Sequence, residues 1–435
     1  MKTLKIGVML LALLLVAMVM VPMASADEKQ LDEQSAVSSN DVVESNYVSI
    51  STAREHAIVA ILDFSSKNLI DQIWNGATVD PKPQLIYDLN GKILFYQFSA
   101  EKKGGKIGEI LVSASKVLGV SVQKISDASS YDLKKSEINA RQLAEKNYPG
   151  YSIQSTKIVS YSYPKMGIMV QLVNKSTTEY QDILFDAYTS QIIPLNNMIS
   201  DNESGAFSYY GSIPESSFSD NIAHWNTNDL QISKIKSKAQ SSGIDLTALN
   251  SDATVQSMNQ IISDSVTGVY EYDELPSSFP RIDQGQTQWC QVATAWVITK
   301  YYYPSNTRTL QNIATKMQIP DTDHSATWDK ELNYYTSSYQ NGAATGGLGK
   351  TSSYYGTLGG NYLTYEKVKE QITQYRAPLK VGRNGHSRAC IGYSRNPGGD
   401  TYYKFSNSQG GVFEIEAAPY PYGSNTGYND YIIVQ

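Results

Sequence analysis

One order of elements is written twice between residues 48 and 194: a helix, then three strands. The first copy opens with an alanine-rich helical stretch at 53–64 and continues through strands at 85–89, 92–98 and 108–114. Asn90-Gly91 separates the first two strands, and both residues accept the positive φ that a tight hairpin turn needs. The second copy places a helix at 135–146, carrying Ile138, Leu143 and Ala144, before strands near 157–163, 167–173 and 182–187. A helix and a sheet must each bury one face, so this pattern predicts two small α+β layers packed together over residues 47–195. Acids, histidines and cysteines do not cluster here as a catalytic site would require. Two roles fit such a domain: a binding or spacer module, or a cover for chemistry elsewhere.

That chemistry is sought downstream, and the ends of the chain bound it. Lys2 and Lys5, an apolar run at 6–21 and Ala24-Ser25-Ala26 make residues 1–26 a secretory signal, with an uncleaved anchor as the rival reading. Residues 27–46 are polar and acidic without periodicity, as a flexible leader would be. Export predicts a secreted chain, with attachment at the cell surface open and no stable membrane insertion once the signal is removed. A net charge of -6 and a pI near 5.4 give no footing for nucleic acid. Two cysteines in 435 residues exclude a disulfide-built scaffold. Residues 196–274 are rich in Ser, Asn and Asp and read as a linker with one helix at 252–263. Asn174 and Asn202 begin glycosylation triplets, weak pointers to the surface.

From about residue 275 the character changes. The stretch 281–300, R-I-D-Q-G-Q-T-Q-W-C-Q-V-A-T-A-W-V-I-T-K, is a polar loop that turns into a helix with Val292, Ala293, Ala295, Trp296 and Ile298 on one stripe. Cys290 stands at the junction, where unpaired N–H groups and the positive end of the helix dipole favour the thiolate. Gln284 lies six residues earlier on the same loop. The run N-G-H-S-R-A-C-I-G-Y puts His386 at the head of a strand, and Y-Y-K-F-S-N-S-Q-G-G ends another with Asn407, placed to fix the imidazole tautomer. His324, in the loop D-T-D-H-S beside Asp321 and Asp323, is the rival base. Cys390 follows His386 on the same strand; a Cys290–Cys390 disulfide and a buried, unpaired Cys390 are the two readings. Residues 344–351 fit a loose phosphate-loop pattern but lack the strand before and the helix after that such a loop needs. No C-x-x-C or His-x-x-x-His spacing points to a metal, and no cofactor is expected.

The order Gln284, Cys290, His386, Asn407 resembles that of the papain-like cysteine peptidases, most of all the bacteriocin-processing (double-glycine leader) branch and its secreted relatives. The resemblance covers roughly the last third of the chain. In the usual pattern Trp follows the nucleophile, whereas here Trp289 precedes it and Gln291 follows; Arg388 also interrupts a strand that is normally apolar. It implies an α+β fold in which residues 275–435 pack the Cys290 helix on an antiparallel sheet. It further implies hydrolysis of peptide or protein substrates by a Cys290 thiolate, a His386 base, an Asn407 orienter and a Gln284 oxyanion donor. The ending F-D-A-Y-T-S-Q-I-I-P of the earlier domain is similar to the close of PepSY-type modules, which accompany secreted peptidases as propeptides. The resulting expectation is a secreted zymogen with its N-terminal domain as intramolecular inhibitor. Two other classes stay open: an amidase or transpeptidase of the cell envelope using the same dyad, and a catalytically silent surface-binding protein.

Overall fold

In the computed structural model, which describes residues 39–128, 132–195, 206–249, 251–356, 363–418 and 430–435, strands from both halves of the chain meet in one sheet. The expected signal at 1–26, most of the expected leader at 27–46 and the Asn202 triplet lie outside the described residues. The fold is α+β.

A short helix at Ser39–Ser45, with Val43 buried, stands where the sequence predicts the end of a flexible leader, and α1 (Ile50–Ser66) follows, which Ser49 caps by accepting from the Thr52 N–H. Strands β1 (Gln84–Asp88), β2 (Ile93–Lys102), β3 (Gly105–Ser113) and β4 (Val122–Asp127) follow as an antiparallel series. Next come α2 (Leu133–Asn147), capped by Asp132, and strands β5 (Tyr151–Ser160), β6 (Met166–Asn174) and β7 (Tyr180–Asp186). The two series join through β1 and β5, the one parallel strand pair among the described residues. The strand β4 is absent from the sequence reading, which stops at three strands.

Residues 196–274, expected as a linker with one helix, contain two long ones: α3 (Phe218–Ser241) and α4 (Asp252–Ser265). They do not dangle. Trp225, Ile235 and Ala239 of α3 and Val255, Met258 and Ile262 of α4 bury into the core formed by α1 and the β2–β4 face.

The C-terminal half contributes α5 (Cys290–Tyr302), α6 (Leu310–Lys316), α7 (Trp328–Thr336) and α8 (Tyr365–Lys369). Thr364 caps α8 by accepting from the Lys367 N–H, and the helix widens into a π turn at Glu370–Gln374 before Pro378. Its strands are β8 (Ser352–Gly356), β9 (Leu379–Arg383), β10 (His386–Arg395), β11 (Thr401–Asn407), β12 (Val412–Ala417) and β13 (Asp430–Val434). All are antiparallel, in the order β8-β13-β9-β10-β11-β12. Helix α5 lies on one face with Val292, Ala295 and Ile298 against Leu379, Ala389 and Ile391. The decisive join is β12 to β4: Glu414, Ile415 and Glu416 pair with Ser126, Ile125 and Lys124. The two halves therefore share one sheet, and Tyr402, Ile415 and Ala417 of the C-terminal half belong to the α1 core.

Candidate active site

Helix α5 starts at Cys290 without a side-chain cap, because Trp289 stands at the capping position and its indole N–H donates to Asp321 O instead (2.8 Å). The thiol is buried and points at the strand head, 3.9 Å from the Gly385 carbonyl and facing the Ser387 N–H. Those two groups flank His386. The β9–β10 hairpin puts them there by turning through Asn384 and Gly385, both with positive φ (50° and 73°).

His386 Nε2 lies 2.9 Å from Asn407 Oδ1 at the end of β11. The Gln409 N–H donates to that same oxygen at 3.0 Å, which fixes the amide orientation. An acceptor oxygen there requires the proton on Nε2, so Nδ1 of the neutral ring is left as a base. The remaining histidines are each tied to a carboxylate: His56 to Asp229 (3.0 Å), His224 to Asp400 (2.5 Å) and His324, on the surface, to Asp321 (2.5 Å). His324 is thus placed as a surface ion pair.

Gln284 reaches the site through the turn after Asn407. Its N–H donates to the Ser408 carbonyl (3.0 Å) and its Oε1 accepts from Ser408 Oγ (2.6 Å). Nε2 donates to Thr287 O at 2.6 Å, leaving its second hydrogen uncommitted to that bond. Gln284 thus meets the turn that carries Asn407, Asn407 holds His386, and the Cys290 thiol meets the backbone on either side of His386.

Electrostatics there differ from the expectation for a helix start. Burial raises the Cys290 thiol above its ordinary value, and the Ser387 N–H and the Lys165 charge offset only part of this. Burial, joined by the Arg388 charge, pushes His386 down to about 3. Sulfur keeps its proton and the ring stays neutral. Desolvation of the charged forms outweighs the end of one helix. Cys390 is unpaired and buried in β10, its thiol pushed up to about 12.

Sequence reasoning missed the groups that the first half brings to this site. Lys165, on the β5–β6 turn, is close enough for its charge to act on both Cys290 and His386. Asn384 Nδ2 donates to Tyr163 O (2.6 Å), and the Arg383 guanidinium lies 4.5 Å from the Tyr163 ring centre. Tyr188 donates to Asp283, Gln288 to Gln191 Oε1 (3.0 Å) and Gln191 to Asp323 (3.0 Å). The Y-S-Y-P-K-M turn is legible as a turn, but nothing in its letters says what it touches. Arg388 also finds its reason: it is fully buried against Glu414 (2.5 Å) and Glu416 (2.6 Å), over the Phe405 ring.

A cavity of about 80 Å³ runs along this seam past Pro164, Asp186, Tyr188, Asn407 and Glu414. A larger one, about 290 Å³, opens between Asp71, Trp74, Arg281 and Phe413 and includes none of the four site residues. Among the described residues no group of three His, Cys, Asp or Glu side chains is arranged to hold a metal ion. No family model matches the chain, and no curated protein matches it.

Proposed function

We propose that this chain is a secreted cysteine peptidase of the papain-like type, made as a zymogen. The observation that carries the reading is the placement of the Cys290 thiol beside the head of β10, with His386 held by Asn407. In the reaction, His386 Nδ1 takes the Cys290 proton and the thiolate attacks a peptide carbonyl. The free Gln284 amide hydrogen and the Cys290 N–H hold the oxyanion. His386 returns its proton to the leaving amine, and water hydrolyses the thioester. Residues 275–435 are the catalytic unit.

The N-terminal half acts as the cover. Its turns at Tyr163–Lys165 and Tyr188–Gln191 lie across both sides of the site, and their burial of Cys290 and His386 holds both groups neutral. The Lys165 charge opposes an imidazolium beside it. When the cover leaves, water solvates the thiolate–imidazolium pair and the site becomes competent. Strand order mirrored about the β1–β5 pair supports reading this half as two copies of one helix-and-strand unit.

The test is limited proteolysis followed by an epoxide inhibitor of cysteine peptidases, with the label mapped by mass spectrometry. The trimmed protein hydrolyses peptides, the label sits on Cys290 and abolishes turnover, and Cys290→Ala neither reacts nor cleaves. Trimmed protein with a reduced, unlabelled Cys290 and no turnover on a broad peptide set would sink the assignment.

A further inference from the structure

Behind the nucleophile lies a buried acid with no part in the reaction above. Gln291, the residue after Cys290, is clamped through both arms of its side-chain amide. Its Oε1 accepts from the Ala326 N–H (2.7 Å), while its Nε2 donates to Ala326 O (3.1 Å) and to Glu331 Oε2 (3.2 Å). Glu331, on α7, is fully buried, and the same oxygen pairs with Lys380 Nζ of β9 at 3.0 Å. Lys380 continues to Asp430 at the start of β13 (2.5 Å). The other oxygen of Glu331 is buried without a hydrogen-bond partner among the described residues. A buried carboxylate satisfied on one side only is costly to keep, and a plain hydrophobic contact would fill the same space.

We propose that Glu331 is a positioning residue for Cys290: through the Gln291 amide it fixes the first turn of α5, and its charge acts on the thiol behind which it sits. The inference rests on Cys290 being the nucleophile, and it is read at the thiol itself.

The groups facing Glu331 are Lys380 from β9, Asp430 from β13, Tyr354 from β8, Tyr335 from its own helix and Cys290 with Gln291 from α5. Burial raises the carboxyl to about 7, with Lys380 pulling against it. Below that pH Glu331 is neutral and does not oppose the thiolate; above it the new negative charge raises the thiol. The thiolate fraction of Cys290 therefore grows more slowly than tenfold per pH unit across neutrality.

The experiment follows the rate of iodoacetamide alkylation of Cys290 in the intact chain from pH 5.5 to 8.5, mapped by mass spectrometry to keep Cys390 apart. In the wild type, log rate against pH has a slope below one around pH 7. Glu331→Gln keeps the shape and the bond to Gln291 but not the charge. It gives a slope of one throughout, matches the wild type at the acid end, and is about three- to tenfold faster at the alkaline end. Gln291→Leu cuts the clamp and keeps the charge, so the shallow slope stays while peptide turnover after trimming falls. A wild-type slope of one, or superimposable wild-type and Glu331→Gln profiles, overturns the inference. A shallow slope that disappears in Glu331→Gln, in a protein that cleaves nothing, upholds the coupling and removes the peptidase reading instead.

Discussion

Gln284 is held by four hydrogen bonds to its own loop and to the turn after Asn407, two of them at the side-chain amide, so its amide plane is set before any substrate arrives. A fixed donor costs no reorganisation when charge develops on the carbonyl oxygen. Gln284→Ala is expected to lower kcat in the trimmed enzyme by about a hundredfold or more while leaving KM nearly unchanged. Steady-state kinetics on one peptide decide it, and near-wild-type turnover would remove Gln284 from the oxyanion site. At this scale much was legible. Cys290, His386 and Asn407 stand out because each sits at an element's end, where a side chain's position is fixed by hydrogen-bonded backbone. Their partners were not, since Ser408, Lys165 and Glu331 carry no local pattern and matter only through distant contacts. Arg388 shows the limit well. It reads as a fault in an apolar strand, and only Glu414 and Glu416, 26 and 28 residues away, make it a satisfied buried charge.

Helix α3 shows why one element escaped the sequence pattern. Its inward positions are Phe218, Asn221, Trp225, Asn228, Ile235 and Ala239, with Ile232 packed beside them. The three-and-four spacing of a buried helix face is complete, but two of its positions are asparagine. Asn221 Nδ2 donates to Val117 O (2.8 Å) and Asn228 Nδ2 to Asp400 (3.1 Å), so each buried amide nitrogen finds an acceptor. A count of apolar letters sees a broken stripe. One turn away, His224 of α3 pairs with the same Asp400, in the β10–β11 turn, at 2.5 Å. That hydrogen bond raises the imidazole above its ordinary value, against the opposing effect of burial. Charged His224 therefore stabilises the folded chain fully below the usual imidazole value of about 6.5, and the gain is lost as pH rises through the raised folded value. Thermal melting of the intact chain should show this as a decline on the order of 2 °C on the alkaline side that His224→Gln removes. An unchanged pH slope in that variant would show that the pair contributes nothing.

If the N-terminal half covers the site as proposed, the continuous sheet sets how the molecule is switched on. A tether between a cover and an enzyme is enough to cut if the two parts meet through a loose surface. Here β4 of the first half is hydrogen-bonded to β12 of the second, and Lys124 lies 3.6 Å from Glu414 across that join. Arg281 pairs with Asp127 at 3.2 Å, and the α1 core takes Tyr402, Ile415 and Ala417 from the C-terminal half. Helices α3 and α4 add their own buried faces to that core, so the segment that looks like a tether is part of the glue. Backbone pairing with a shared apolar core resembles the interior of one domain more than a transient contact. A protease site placed at the exposed turn around Gly243, between α3 and α4, is therefore expected to be cut without release: both fragments co-elute at the mass of the intact chain. Peptide hydrolysis stays at the uncut level because the turn carrying Lys165 still covers Cys290 and His386 as proposed. Activity rises only when the N-terminal half is digested or is stripped away in mild denaturant, and adding that half back suppresses it again. Size exclusion and a peptide assay on the same fractions separate the outcomes. Full activity in a cut but still associated complex would mean that the tether restrains the site and the N-terminal turns do not.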